Sequence, residues 1–376
     1  MSEAKSTRRN ARIDRLRGLA ILTAVMSHTP GFMTWEFRPY FTNIASLQSN
    51  GCFAVAVFFV ISGFLITRRL LSMGEIPAAA MLTTFYAQRI GRLFPCLVLV
   101  VVLAWLMSSA GYPRFVFAEG AFGRFIGCIA MLRYNRCIVE GGLPDILNHL
   151  WSLSVEEMFY LMFPLLVILT RKQVSMLTFC LAGLVVYGPL YRSTVVGADV
   201  YTFFGNFDLL AMGCLAAIHA PKVRSHHADL RWIGLILMTL TFFGVVLTRQ
   251  LIIPPTIVGI GAALYVLGAR PLSDESPILF RPLELAGNLS YEMYLFHFPI
   301  LGAIVRPTYN AFYQSPFFAP YIAWLCLAVY MVSLFLISFV LARYFSQPAN
   351  RLIRTSFSSS GQSFVGRPRE PIAVKV

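Results

Sequence analysis

The chain has 376 residues, 57% of them hydrophobic and only 13% charged, with a mean hydropathy of +0.68. An ordinary soluble domain carries about a quarter charged residues, so there are too few charges here to cover a water-facing surface. The excess of 31 Lys and Arg over 17 Asp and Glu would suggest nucleic acid in a soluble protein. In a chain this apolar it reads as loop charge on the cytoplasmic side, and no nucleic-acid partner is expected.

Apolar runs occur at about 16–34, 51–67, 93–110, 120–132, 148–170, 174–190, 201–219, 232–248, 251–268, 287–305 and 319–342. A helix needs about 20 apolar residues to cross roughly 30 Å of hydrocarbon, and backbone amides in lipid must be paired within the segment. The predicted class is an all-α, polytopic integral membrane protein embedded in lipid. The first run has a basic flank and no small-residue cleavage site, which reads as a retained signal anchor. The shortest run, 120–132, contains Arg124 and is followed by Arg133 and Arg136, so it is expected to be a re-entrant or interfacial helix, leaving about ten spans. Both termini then lie in the cytoplasm, with 23 of the 31 basic residues inside. The amphipathic stretch 74–92 is expected along the inner surface before the third span. The transmembrane domain is placed at 1–355, and the Ser/Gly/Pro-rich 356–376 reads as a disordered cytoplasmic tail. Seven cysteines with no CxxC pair, mostly inside apolar runs, read as packing residues; neither a disulfide framework nor a metal site is expected.

Ionisable groups inside spans are expensive, so each is a candidate site. In the first span His28 follows Arg17 by eleven residues, about 16 Å along a helix, which puts it near mid-depth. An imidazole is the side chain best suited to take a proton from a hydroxyl. Ser62 and Gly63 sit in a bulky helix, a pattern that by itself suits close helix packing. Arg89 and Arg92, three apart on one face, read either as snorkelling anchors or as a clamp for phosphate oxygens. The segment 147–160 brings His149, Trp151, Ser152, Ser154, Glu156 and Glu157 together, with His149, Glu156 and Tyr160 on one face. Glu292 and His297 follow in the last-but-one span, with Pro299 loosening the backbone.

Taken in order, Arg17 with His28, FFVISGFL at 58–65, the block at 85–95, HLWSLSVEEMFYL at 149–161 and SYEMYLFHFP at 290–299 resemble the membrane-embedded type-3 acyltransferases, which O-acylate extracytoplasmic glycans. The resemblance implies a multi-pass protein of the bacterial cytoplasmic (inner) membrane. It implies an acyl-CoA donor, acetyl-CoA foremost, a glycan acceptor such as O-antigen or exopolysaccharide, and no metal. It also implies that His28 is the essential histidine and Arg17 its paired arginine, that Arg89 and Arg92 hold the donor, and that Glu156 is the family's acidic residue. Two positions depart from the pattern: Ala56 stands where many relatives have Asp, and Gln88 precedes Arg89 where many have a second arginine, which weakens the donor clamp by a charge. Some relatives continue into a hydrolase-like domain; with about 30 residues after the last span, the chain is expected to act alone or with a separate extracytoplasmic acyl-accepting partner.

The expected chemistry follows from placement. Acyl-CoA enters from the cytoplasm and its phosphates meet Arg17, Arg89 and Arg92. His28 then deprotonates the acceptor hydroxyl or takes the acyl group itself, with Glu156 orienting the imidazole or stabilising its cation. Ser62, His149, Trp151, Ser152, Ser154 and His297 are further candidates. The rival class is a transporter or flippase for a lipid-linked glycan, whose folds show repeats and paired broken helices that are not evident here.

Overall fold

The computed structural model describes residues 10–32, 51–74, 76–112, 115–117, 120–130, 145–170, 173–194, 201–223, 226–248, 254–271, 276–305 and 319–359. Among these residues every regular element is helical. The first helix, α1 (Ala11–Phe32), starts where Asn10 caps it, its Oδ1 accepting from the Arg12 amide at 3.1 Å, and Asp14 in the first turn complements the helix dipole. The chain continues through α2 (Gly51–Ser72), α3 (Ala78–Ser109), α4 (Ala121–Ala130), a 3₁₀ turn at Asp145–Leu150 and α5 (Trp151–Leu169). Then come α6 (Val174–Thr194), α7 (Phe207–His219), α8 (His227–Thr248), α9 (Pro254–Gly268), α10 (Arg281–Asn288) and α11 (Ser290–Ile300). A π turn at Leu301–Val305 ends α11; α12 (Ala319–Leu341) runs through a second π turn, Ala342–Ser346, into α13 (Gln347–Ser359).

Five stretches among the described residues are long and apolar enough to cross a membrane: Phe53–Ser72, Ala78–Ser109, Ile146–Leu169, Val174–Thr194 and Trp324–Phe357. Length and composition therefore support a membrane protein but only half of the ten expected spans. Helix α1 carries Arg12, Asp14, Arg15 and Arg17 in its first turns, while α7 and α9, with 13 and 15 residues, fall short of the usual span. Helix α4 covers ten residues, about 15 Å, or half of the hydrocarbon thickness.

Two expectations change. The stretch 74–92 is no separate surface helix, because most of it forms the first half of the 32-residue α3. Nothing between Ala78 and Phe94 interrupts the helix, and Pro95 removes only one amide bond. The reading of all cysteines as packing residues fails at Cys128, which is disulfide-bonded, while Cys96, Cys180, Cys214 and Cys326 are free. Helix α13 carries regular structure past the expected boundary at 355 to Ser359 and packs on α3, where a side chain at Gly91 would meet Asn350.

Helix contacts are made backbone to backbone. A Cβ at Gly63 would fall on the Leu210 carbonyl, and one at Gly213 on the Val60 carbonyl, so α2 and α7 cross at a reciprocal pair of glycines. This is the close approach that the small residue in the 58–65 motif suggested. The buried side chains form two apolar cores, one around α2, α5, α7 and α9, the other around α3, α11 and α12. Phe58 and Tyr291 pack against both, which marks the seam where the polar residues collect.

One buried ion pair lies away from that seam. Arg192 on α6 reaches both carboxylate oxygens of Asp208 on α7, at 3.0 and 2.8 Å, and also bonds Thr256 Oγ1 on α9 and the Gly205 carbonyl. Both side chains are almost fully enclosed. Asp208→Ala should strip about 3–5 kcal/mol of stability, because it strands a buried guanidinium. Replacing the pair together by Arg192→Met and Asp208→Leu should recover most of that loss, as read by thermal unfolding in detergent.

Candidate active site

The polar residues of the seam form two regions. The first is a cavity of about 100 Å³ between the helices. Arg17 of α1, Ser62 of α2, Arg89 and Arg92 of α3, Ser152, Glu156 and Tyr160 of α5, and Ser290, Tyr291 and Tyr294 of α11 line it. Arg17 donates to Ser290 Oγ at 3.0 Å. The Arg89 guanidinium lies over the Tyr160 ring, 4.9 Å from its centre, and over the Phe85 ring, 5.4 Å from its centre, a cation–π contact with each. Ser62 donates to the Glu156 carboxylate, and its Oγ is 3.2 Å from the Tyr160 hydroxyl. Gln88, the departure noted in the sequence, accepts from Arg69 Nε at 3.2 Å, so that position binds a further arginine instead of supplying one.

The second region is a cluster of three imidazoles. His297 Nε2 is 3.2 Å from His28 Nδ1, and the His149 ring centre is 4.8 Å from that of His297. Phe298 packs against all three rings at 4.4–5.0 Å. His149 and His297 are buried at 3% and 0% exposure, whereas His28 keeps a partly open edge. Neither His149 ring nitrogen makes a hydrogen bond of ordinary geometry. The backbones of Ile146 and Leu295 act on it more weakly, and Leu295 is the residue whose helical amide partner Pro299 removes.

Tyr294 joins the regions. It lines the cavity, its hydroxyl donates to the His149 carbonyl at 2.6 Å and lies 2.7 Å from Ser152 Oγ, and its ring is 5.8 Å from that of His297. The separation along the helices is set by chain geometry. His28 lies eleven residues beyond Arg17, and its Nε2 lies 3.9 Å from where a Cβ on Gly51 would sit, eleven residues before Ser62. Eleven helical residues span about 16 Å. On each helix that reaches the cavity or cluster from α3, α5 or α11, a proline follows shortly after the functional residue: Pro95 after Arg92, Pro164 after Tyr160, Pro299 after His297.

Seven of the residues singled out in the sequence thus meet in the cavity: Arg17, Ser62, Arg89, Arg92, Ser152, Glu156 and Tyr160. His28, His149 and His297 meet in the cluster. Trp151 packs edge-on against Phe59 and Tyr201, and Ser154 is buried outside the cavity lining, so these two belong to the packing of α5. Glu156 does not orient His28 as expected: it bonds Ser62, which also meets Tyr160, and the ring that meets His28 is His297. The sequence reading missed Tyr294, although its spacing of three from His297 places both on one face of α11. Among the described residues no three His, Cys, Asp or Glu side chains are disposed to hold a metal ion.

Apolar helices enclosing a cationic cavity and a separate imidazole cluster define a membrane protein with an internal polar site reached by one long helix, α1. The chain belongs to the acyltransferase-3 family, whose acyltransferase domain matches residues 10–343. It is 28% identical over 318 residues to the peptidoglycan O-acetyltransferase OatA of Listeria monocytogenes, covering 77% of this chain and 49% of that one. It is 24% identical over 321 residues to the O-acetyltransferase OatA of Staphylococcus aureus, covering 77% and 50%. An uncharacterized protein of Haemophilus influenzae is 30% identical over 187 residues, 43% of this chain and 73% of its own. The chain spans about half the length of the OatA relatives. No solved structure matches it.

Proposed function

We propose that this chain is a transmembrane O-acyltransferase that moves an acetyl group from cytoplasmic acyl-CoA to a hydroxyl of an extracytoplasmic glycan. The observation that carries the reading is that α1 presents Arg17 to a cavity shared with Arg89 and Arg92, and His28 to an imidazole cluster eleven residues further on. Three guanidinium groups in one cavity suit the phosphates of CoA. The OatA relatives carry O-acetyltransferase in their names, which supports acetyl as the group and a surface polysaccharide as the acceptor class.

The chemistry divides between the regions. The nucleotide end of the donor rests on the arginines, and the pantetheine arm extends past Tyr294 toward the histidines. There His28 takes the proton of the acceptor hydroxyl as its oxygen attacks the thioester carbonyl. The carbon–sulfur bond breaks, and the departing thiolate receives the proton back from the imidazolium. Glu156, bonded to Ser62 beside Arg89, balances and positions the guanidinium when the cavity holds no phosphate. His149 supplies a hydrogen bond to the oxyanion that develops on the thioester carbonyl.

The test is consumption of acetyl-CoA thioester by the purified protein, with and without a polysaccharide acceptor. An acyltransferase consumes it only when acceptor is present, and a transporter never does. The role of His149 has its own signature. His149→Leu should leave thermal stability unchanged or raise it by about 1–3 kcal/mol, since an unsatisfied buried polar group is removed, while transfer falls at least about tenfold. Loss of both stability and transfer would show that the ring serves packing.

Charge and redox state support an orientation with the arginine end inside. Arg17, Arg89 and Arg92 line one cavity, and the expected excess of basic residues in cytoplasmic loops supports an inside position for that end. The disulfide at Cys128 suits the oxidising side for α4. Reporters fused after residue 136 and after residue 281 should read outside and inside respectively; an inside signal after 136 would mean that the 120–132 run crosses.

A further inference from the structure

We propose that His297 is the positioning residue of the reaction, fixing the tautomer and the orientation of His28; this rests on His28 acting as the base. The argument starts from a carbonyl. His297 Nδ1 is 2.6 Å from the Tyr294 carbonyl oxygen, and a carbonyl can only accept, so Nδ1 carries the proton. A neutral imidazole holds one N–H, which leaves His297 Nε2 with a lone pair. That lone pair faces His28 Nδ1 at 3.2 Å, so the hydrogen between them belongs to His28 Nδ1. His28 Nε2 is left unprotonated.

This is the nitrogen that faces away from His297, toward α2. It points to Gly51, where a side chain would approach within 3.9 Å, and His28 is the one imidazole of the cluster that is not fully buried. The chain of bonds from the Tyr294 carbonyl through His297 thus places a lone pair at the edge an acceptor hydroxyl can reach. When His28 takes the proton on Nε2, its Nδ1–H still donates to His297 Nε2, which stabilises the imidazolium as a carboxylate does behind the base of a hydrolytic triad. An imidazole in this role carries no charge of its own and needs no counter-ion in an apolar surrounding. The α11 backbone that supplies the carbonyl is held in turn, since Tyr330 donates to the His297 carbonyl at 3.2 Å and Tyr294 is tied to His149 and Ser152.

The experiment compares His297→Leu with His297→Gln in the full-length protein and reads His28 directly by ¹⁵N NMR of histidine-labelled membranes. The chain has six histidines, and the His28 signals are those missing from His28→Gln. Wild type should show His28 as the Nδ1–H tautomer. In His297→Leu it should shift toward Nε2–H, with kcat lowered on the order of 10²- to 10⁴-fold and the KM for acetyl-CoA unchanged, which shows the donor cavity intact. In His297→Gln the amide oxygen can accept from Nδ1–H, so the tautomer and most of kcat should return. An Nε2–H signal for His28 in wild type, or a His297→Leu protein with wild-type kcat while His28→Gln is inactive, would overturn the positioning role and leave the base intact. Full activity of His28→Gln would remove the base itself.

Discussion

His28→Gln is expected to lower kcat for acyl transfer on the order of 10²- to 10⁴-fold, the usual contribution of a positioned proton-transfer group. Gln retains polarity and hydrogen-bonding capacity at the same place but has no basic nitrogen near neutral pH. A histidine that merely filled space beside Phe298 and His297 would tolerate Gln better than Ala; a base tolerates neither. The KM for acetyl-CoA should stay within about twofold in both variants, because the arginine cavity lies about 16 Å away along α1. Membrane insertion and thermal stability, measured on the same preparations, separate a chemical defect from a folding one. Near wild-type transfer by an inserted His28→Gln protein would take the imidazole out of the mechanism.

The same variant decides how Glu156 acts. A carboxylate that oriented His28 would show a strongly non-additive double variant, since residues acting as one unit are lost together. In the structure Glu156 bonds Ser62 in the arginine cavity, and His28 bonds His297. Groups without shared partners and more than 7–10 Å apart add to within about 0.5 kcal/mol. The losses from His28→Gln and Glu156→Gln should therefore multiply, with Glu156→Gln acting on the KM for acetyl-CoA.

What could be read from the sequence depended on whether the information lay along one helix or between helices. The eleven residues from Arg17 to His28 fix an axial distance whatever surrounds α1, so the separation of an arginine end from a histidine end was legible. The face shared by His149, Glu156 and Tyr160 was equally legible, but which neighbour each would meet was not. That depends on rotations set by contacts such as the Gly63–Gly213 crossing, and a rotation of a few tens of degrees exchanges one partner for another. The Arg192–Asp208 pair escaped for the same reason, being invisible until α6 and α7 are laid side by side. The continuous α3 was missed because an amphipathic stretch and an apolar stretch differ in composition, while the backbone joining them has no breaker except a proline it can absorb.

Arg89→Ala should raise the KM for acetyl-CoA by about 10- to 100-fold with a far smaller change in kcat. A charge-assisted hydrogen bond is worth about 1.5–3 kcal/mol, and each 1.4 kcal/mol is a factor of ten. Arg89 is the best placed of the three arginines, because its guanidinium rests over the Tyr160 and Phe85 rings, so less conformational freedom is lost when a phosphate binds. Arg89→Lys keeps the charge but gives up the planar fork and much of the aromatic contact, and should fall between Ala and wild type. The decisive comparison changes the donor. Acetyl-pantetheine carries the same thioester and arm without any phosphate, so an arginine that binds phosphate has nothing to lose with it. The wild type should use acetyl-pantetheine poorly, and Arg89→Ala should use it equally poorly. If instead the substitution raises the KM for acetyl-pantetheine as much as for acetyl-CoA, the guanidinium serves the cavity wall or the thioester end, and the assignment of this cavity to the nucleotide end of the donor fails.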